Sequence, residues 1–256
     1  MHEHKTDAYL IRMRELGVFP NFWTTHEYLA TQDVHLKSDG AVMWIQEDEW
    51  AVFPPLPLRS SASLQGMKCP PMKIWSDFPN FSVGAEMEFL DWEYTYDSRR
   101  FQDLSGGRWR MFRKNSRKWP QANTGWQYSH IIPSEMDIEK LLTKWLEGKA
   151  EEIIQDSEAL LSFVFHGTRR GFLFRGSELV GMNVWDSYGS YLMYRYCIVD
   201  PDEPFLDEFC RLLFYQSIIS NHMVIDGGTL GNPGLERFKD KLLPVKKRAV
   251  YSRIIP

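Results

Sequence analysis

Four glycines fall within the ten residues from Ile225 to Gly234, and the run IDGGTLGNPGLERFKDKLLP (residues 225–244) then changes directly into a helical pattern. Asp226-Gly227-Gly228 and Gly231-Asn232-Pro233-Gly234 are strong turn formers, so the chain bends twice before the helix. Leu235, Phe238 and Leu242 supply an apolar stripe, with Glu236, Lys239 and Asp240 between them. The free amides at such a helix start favour an anion, a carboxylate or a carbonyl oxygen. An ordinary strand–turn–helix connection has the same spacing.

A second chemical feature is basic. Between Arg99 and Lys118 stand Arg99, Arg100, Arg108, Arg110, Arg113, Lys114, Arg117 and Lys118 against one acid, Asp103. Trp109, Phe112 and Trp119 are interleaved, and aromatics among arginines can stack on bases while guanidinium groups take phosphates. The alternative is a solvated basic helix face whose aromatics enter the core. A further cluster, Lys239, Lys241, Lys246, Lys247 and Arg248, extends from the glycine run. Two basic clusters on a chain of net charge −4 imply a charged groove.

The bulk composition sets limits. With 256 residues, 43% of them hydrophobic and 14% aromatic, the chain can bury a sizeable core as one domain or two small ones. Cys69, Cys197 and Cys210 are an odd number without a CxxC spacing, which argues against a disulfide framework and for a reducing compartment. Cys197 and Cys210 fall in apolar contexts and read as inert. The seven histidines are scattered, so no metal site is expected. Neither a leader-like N-terminus nor a run of eighteen apolar residues is present, so a soluble, cytoplasmic protein without a membrane span is expected.

The elements that must carry these features follow. Residues 52–79 are rich in proline and read as loop with short extended pieces. Ala41–Trp44 and Trp50–Phe53 read as two short strands around an acidic turn. Ser134 caps a helix carrying Ile138, Leu141, Leu142 and Trp145, and a second helix carries Ile153, Ile154, Leu160 and Leu161. Gly171–Val180 reads as a hairpin broken at Gly176-Ser177, with Met182–Trp185 and Tyr191–Val199 as further strands. A helix over Phe205–Ile219, a strand Met223–Ile225, the glycine-run helix and a strand Ala249–Ile254 complete the order.

The phrase DGGTLGNPGLERFKDKLLPV resembles the C-terminal signature of the phosphatidylglycerol lysyltransferase C-terminal domain family, and YTYDSRRFQDLSGGRWRMFRKNSRKW (Tyr94–Trp119) is similar to a second element of that family, in the same order. Gly231, Gly234, Leu235, Lys239 and, approximately, Asp226 match signature positions, as do Ser105-Gly106 and the pair Lys114-Asn115. Thr229 stands where an acid is usual and Glu236 where a base is usual, with Arg237 one place later. The resemblance implies an α/β, GNAT-like acyltransferase fold, a mixed central sheet flanked by helices. It further implies a degenerate N-terminal half over residues 1–130 and a C-terminal GNAT-like domain over residues 131–256.

The same resemblance implies transfer of an activated acyl group to an amine, with aminoacyl-tRNA as the favoured donor and a small-molecule, peptide or nucleic-acid-borne amine as acceptor. No tightly bound cofactor is expected. Such chemistry needs an acceptor for the ammonium proton and a donor for the oxyanion. Asp226 is the candidate base, the amides near Asn232–Gly234 the oxyanion donors, and Tyr194, Tyr196 or Tyr251 the acid for the leaving group; Lys239 completes the catalytic candidates. Arg108, Arg110, Arg113, Lys114, Asn115, Gly231, Gly234 and Arg237 are the candidates for binding donor or acceptor. Acetyl-CoA users of the fold hold the diphosphate on a glycine-rich turn after their fourth strand, where this chain has Val199-Asp200-Pro201-Asp202-Glu203-Pro204. Those carboxylates and prolines disfavour coenzyme A. The alternatives are an acyl-CoA N-acetyltransferase and a non-catalytic GNAT-like module that binds nucleic acid or a partner.

Overall fold

The structure is a computed structural model and describes residues 6–30, 33–48, 50–51, 53, 55–58, 72–77, 87–147, 149, 161, 164–165, 169–218, 222–229 and 231–253. Cys69, most of the proline-rich stretch and all but the last residue of the helix expected over Ile153–Leu161 lie outside them. In chain order the first half holds α1 (Asp7–Glu15), α2 (His26–Ala30), β1 (Val34–Ser38), β2 (Val42–Glu47), β3 (Trp50–Ala51), β4 (Leu56–Pro57), β5 (Met72–Trp75), β6 (Met87–Asp97), α3 (Arg100–Asp103) and α4 (Arg110–Ala122). Then follow β7 (Trp126–Ser129), α5 (Glu135–Leu146), β8 (Arg169–Arg175), β9 (Glu178–Tyr188), β10 (Tyr191–Val199), α6 (Leu206–Ser217), β11 (Met223–Asp226), α7 (Pro233–Lys241) and β12 (Lys246–Arg253).

These elements form two compact units. One comprises residues 1–94, 227–236 and 246–256, the other residues 95–226 and 237–245. Residue 130, where the sequence suggests a division, falls inside the second unit between β7 and α5.

In the first unit the strands run in the order β1-β2-β3-β5-β12-β6, with β4 on β2. Both short strands expected from the sequence are present as β2 and β3, paired antiparallel at Gln46↔Ala51 and Glu47↔Trp50. The proline-rich region contributes β5, which pairs antiparallel with β12 from Val250↔Trp75 to Arg253↔Met72. Tyr9 of α1 stacks on Phe53 at 5.7 Å, and both are fully buried. Arg248 of β12 is buried between Glu93 and Asp77 and also donates to the Pro20 carbonyl. Glu93 takes two further bonds, from the Phe22 amide at 2.7 Å and the Trp75 indole at 3.3 Å. A charged pair this deep survives because its hydrogen-bonding capacity is filled.

In the second unit the order is the end of β6, then β11-β10-β9-β8-β7. β8, β9 and β10, which cover the expected hairpin and the strands after it, form an antiparallel meander. Met182–Trp185 is not a separate strand: Gly181 pairs in register with both Leu173 and Val199, so β9 runs unbroken from Glu178 to Tyr188. Its near-continuous burial fits a strand covered on both faces, and α5 and α6 each contact both β9 and β10. Ser134 caps α5 as expected, accepting from the Asp137 amide at 3.2 Å. The crossover through α6 brings β11 parallel to β10, from Tyr191↔Met223 to Tyr194↔Asp226. β10 runs on to Val199 beyond that last pair, after a bulge against β9 between Tyr194 and Tyr196. The two parallel strands therefore part at Tyr194 and Asp226.

Candidate functional site

Where β10 and β11 part, three charged side chains converge. Asp226 ends β11, Arg211 comes from α6 and Lys239 from α7, and they are 5%, 8% and 4% exposed. Arg211 Nη1 lies 2.6 Å from Asp226 Oδ2, and Lys239 Nζ lies 3.0 Å from Asp226 Oδ1. The guanidinium also sits 4.7 Å over the Tyr194 ring and 5.4 Å from that of Phe238. Burial pushes the Asp226 carboxyl up, but Lys239 and Arg211 together outweigh it and hold the group below its ordinary value. A carboxylate held ionised in this way takes up a proton only when one of its cations lets go. The Tyr194 hydroxyl is fully buried and donates to Asn183 Oδ1, so it is committed to the core rather than to a leaving group.

In the first unit the glycine turn holds an anion of its own. Asp91 of β6 accepts from the Thr229 amide at 2.6 Å and from the Thr229 hydroxyl at 2.8 Å. Its Oδ2 lies 2.1 Å from where a Cβ on Gly228 would stand, so only glycine admits the carboxylate. The helix start is occupied too. Asn232 Oδ1 accepts from the amides of Gly234 at 2.8 Å and Leu235 at 3.0 Å, and Pro233 follows at the first helical position. The Gly234 amide expected to meet an oxyanion is thus bonded to Asn232 itself. Gly231 takes φ +69°, Gly234 is exposed, and Tyr251 of β12 packs edge-on to Phe89 at 5.9 Å.

The basic segment of the second unit separates into a face and an interior. Trp109, Phe112 and Trp119 are buried, at 6%, 6% and 2% exposure, in contact with Phe101 and Phe209. They are core residues and not a stacking platform for bases. Arg113 is turned back onto the carbonyls of Leu104 and Gly106, closing the bend before α4. Arg108, Arg110, Lys114 and Arg117 are exposed and make no ion pair among the described residues. Arg237, on α7, is exposed as well.

α4 packs on α6, whose start is acidic. Asn115 donates to Glu208 at 3.1 Å, and Lys118 lies 3.7 Å from the Phe205 ring centre. Burial, and then neighbouring Asp207, raise the Glu208 carboxyl to about 7. In the connection from β10, Lys144 bridges Asp200 at 2.7 Å and Asp202 at 2.9 Å. Glu203 accepts from the Trp119 indole at 2.9 Å and pairs with Arg175. Three amides here are already bonded: Asp202 donates to the Asp200 carboxylate, Glu203 to the Asp200 carbonyl and Leu206 to the Glu203 carbonyl.

Of the sequence candidates, then, Asp226 and Lys239 are brought together. Arg108, Arg110 and Lys114 are exposed, the last two one turn apart on α4, while Arg113 and Asn115 hold structure. Two residues were missed. Arg211 is the only basic residue in the apolar helix LDEFCRLLFYQS, a signal that marks it out for a buried partner. Asp91 has no local signal. Among the described residues no group of His, Cys, Asp or Glu could hold a metal, and no helix is long and apolar enough to cross a membrane.

The sequence matches no family model and no curated protein. Solved structures do resemble it. A conserved protein of unknown function from Bacteroides thetaiotaomicron superimposes with a TM-score of 0.73 at 14% identity, over 96% of this chain and 97% of that one. A C-terminal domain assigned to a lysylphosphatidylglycerol synthetase from Agrobacterium fabrum gives 0.59 at 12% identity, over 96% and 92%. A tandem GNAT protein from the clavulanic acid biosynthesis pathway gives 0.53 at 11%, over 98% and 94%. At such identities the likeness is one of fold, and the fold is that of GNAT-like acyltransferases, a mixed sheet flanked by helices.

Proposed function

We propose that this protein is an acyltransferase that moves an activated acyl group onto an amine, with an aminoacyl ester of tRNA as donor. The observation that carries the reading is the connection from β10 to α6. A diphosphate needs free amides at the following helix start. Here the amides of Asp202, Glu203 and Leu206 are already bonded, and Asp207 with the Asp200–Asp202 pair, whose two charges share the single cation of Lys144, would oppose a second anion. Beside that acidic start, α4 offers Arg110, Lys114 and Arg117 along one exposed face, spaced as neighbours on a helix. Uncommitted cations of this kind suit the phosphates of a long polyanion.

In the proposed step the amine nitrogen attacks the ester carbonyl directly. The C–N bond forms, the C–O bond to the ribose breaks, and the proton lost by the amine ends on the leaving hydroxyl. Asp226 carries that proton once Lys239 releases it. Asn232, Tyr251, Gly231, Gly234 and Arg237 enter the proposal on the resemblance of their motif alone. The acceptor is an amine on a small molecule or peptide.

Calorimetric titration at low salt tests the donor. Acetyl-CoA is expected to show no binding, whereas a tRNA pool binds with an affinity that falls steeply with salt. The triple variant Arg110→Glu, Lys114→Glu, Arg117→Glu should lower the slope of log affinity against log salt by about two. Micromolar binding of acetyl-CoA would overturn the reading in favour of a CoA-dependent enzyme. The buried, doubly paired state of Asp226 also supports a second reading, a module that binds tRNA without turnover, which predicts retained binding and no transfer from any aminoacyl-tRNA.

A further inference from the structure

Two strands end the sheet order, and only one of them is protected. β1, in the first unit, has the sequence VHLKS, with His35 and Lys37 exposed. An edge lysine deters another chain from pairing, because its charge would have to be buried beside the new strand. β7, in the second unit, has the sequence WQYS and pairs with β8 alone among the described residues. It carries no charge, proline or glycine, so the backbone groups on its outer side are a bare template for a further strand.

The segment that follows β7 is apolar, exposed and pinned. Ile131, Ile132 and Met136 are 80%, 47% and 74% exposed. His130 Nδ1 bonds the Arg170 carbonyl at 2.6 Å, and the Ile131 amide donates to the Ser129 hydroxyl at 3.1 Å. Ser134 both accepts from the Asp137 amide and donates to its carboxylate at 2.6 Å. The three apolar side chains are therefore held out by a fixed backbone, and contact made there costs little ordering. Together they present on the order of 400 Å² of apolar surface, the size at which a patch marks an interaction site.

The two ends of β7 make this edge complementary to itself. Trp126, its first residue, is exposed, and α4, which exposes Arg117, ends just before it. The other end leads through Ile131 and Ile132 into α5, which exposes Glu135 and Glu139. We propose that the protein is a homodimer, in which two copies of β7 pair antiparallel about a twofold axis and join their second units edge to edge. That arrangement sets the Ile131–Ile132 end of each strand beside the Trp126 end of the other, and the acids of α5 toward the cations of α4. Parallel pairing would set like charge against like. A stable interface takes roughly 800 Å² from each partner. The apolar patch supplies about half of it, and the paired strands with their charged rim supply the rest.

The test is independent of any transfer activity. Sedimentation velocity of the full-length protein, freed of nucleic acid by nuclease, is run across about 1–100 μM. A species of twice the chain mass should grow with concentration. The double variant Ile131→Glu, Met136→Glu should stay monomeric throughout, with its circular dichroism unchanged. In the unmutated protein, amide exchange over residues 126–129 should slow as the dimer forms, while that of β1 stays constant. A monomer at every concentration, a dimer that survives the double substitution, or exchange in β7 that ignores concentration would overturn the proposal. The exchange measurement decides the question even where the variant fails to fold.

Discussion

The Asp91 carboxylate fills the place of a side chain on Gly228, with Oδ2 only 2.1 Å from the ideal Cβ position. A methyl group there must push the carboxylate away from the Thr229 amide and hydroxyl that it accepts from. Gly228→Ala should therefore cost about 1–3 kcal/mol, the loss of a charge-assisted bond with its partner left unsatisfied. Urea unfolding measures it. Asp91→Ala alone should cost a similar amount, and the double variant should fall short of the sum by more than about 0.5 kcal/mol. Strict additivity would mean that the two residues act separately.

Asp226 is predicted to be a keystone for two buried cations. Asp226→Asn leaves Arg211 and Lys239 without their shared counter-charge, at a cost of roughly 3–5 kcal/mol. The pH dependence has a defined sign. The folded value lies below the ordinary 3.8, so the contribution is present above about that pH and is lost as pH falls through the folded value. An acid-unfolding midpoint in Asp226→Asn that equals that of the wild type would contradict this.

Glu208 acts in the opposite direction. Its folded value is raised from 4.5 to about 7, so its contribution is complete below the unfolded value and disappears as pH rises through about 7. The wild type should gain stability on acidification from about pH 8 to about pH 5.5, and Glu208→Gln should flatten that part of the curve. Chemical unfolding at several pH values decides it; identical slopes in the two proteins would exclude the assignment.

The regular elements of the second unit were legible in the sequence because their signals are local. Ser134 with Asp137, the glycine at 176 and the apolar spacing of α6 each act within a few residues. The fold class followed from that order and from the two motif segments. The site was less legible for a physical reason: its partners are distant in sequence. Asp91 meets Thr229 across 138 residues, and nothing near either residue announces the contact. The glycines between 227 and 234 announced a bend, but the helix-start amides expected to favour an anion are capped by Asn232, and the carboxylate beside Gly228 is the protein's own Asp91, held by Thr229. Likewise the alternation of aromatics with arginines in α4 has one appearance in sequence and two physical meanings. Burial of Trp109, Phe112 and Trp119 selects the structural one, and leaves the arginine face as the part still open to a ligand.

The place of β12 carries a consequence for how the protein is made. In the first unit it lies between β5 and β6, and it brings Arg248 to Glu93. A ribosome delivers β12 after every other element described. Until residues 246–253 have emerged, β5 and β6 lack the strand between them and Glu93 lacks its buried counter-ion. The second unit needs no residue beyond 245. During vectorial synthesis, therefore, the first unit is the one that must wait for β12, and its half-built sheet is the nascent surface on which a chaperone would act.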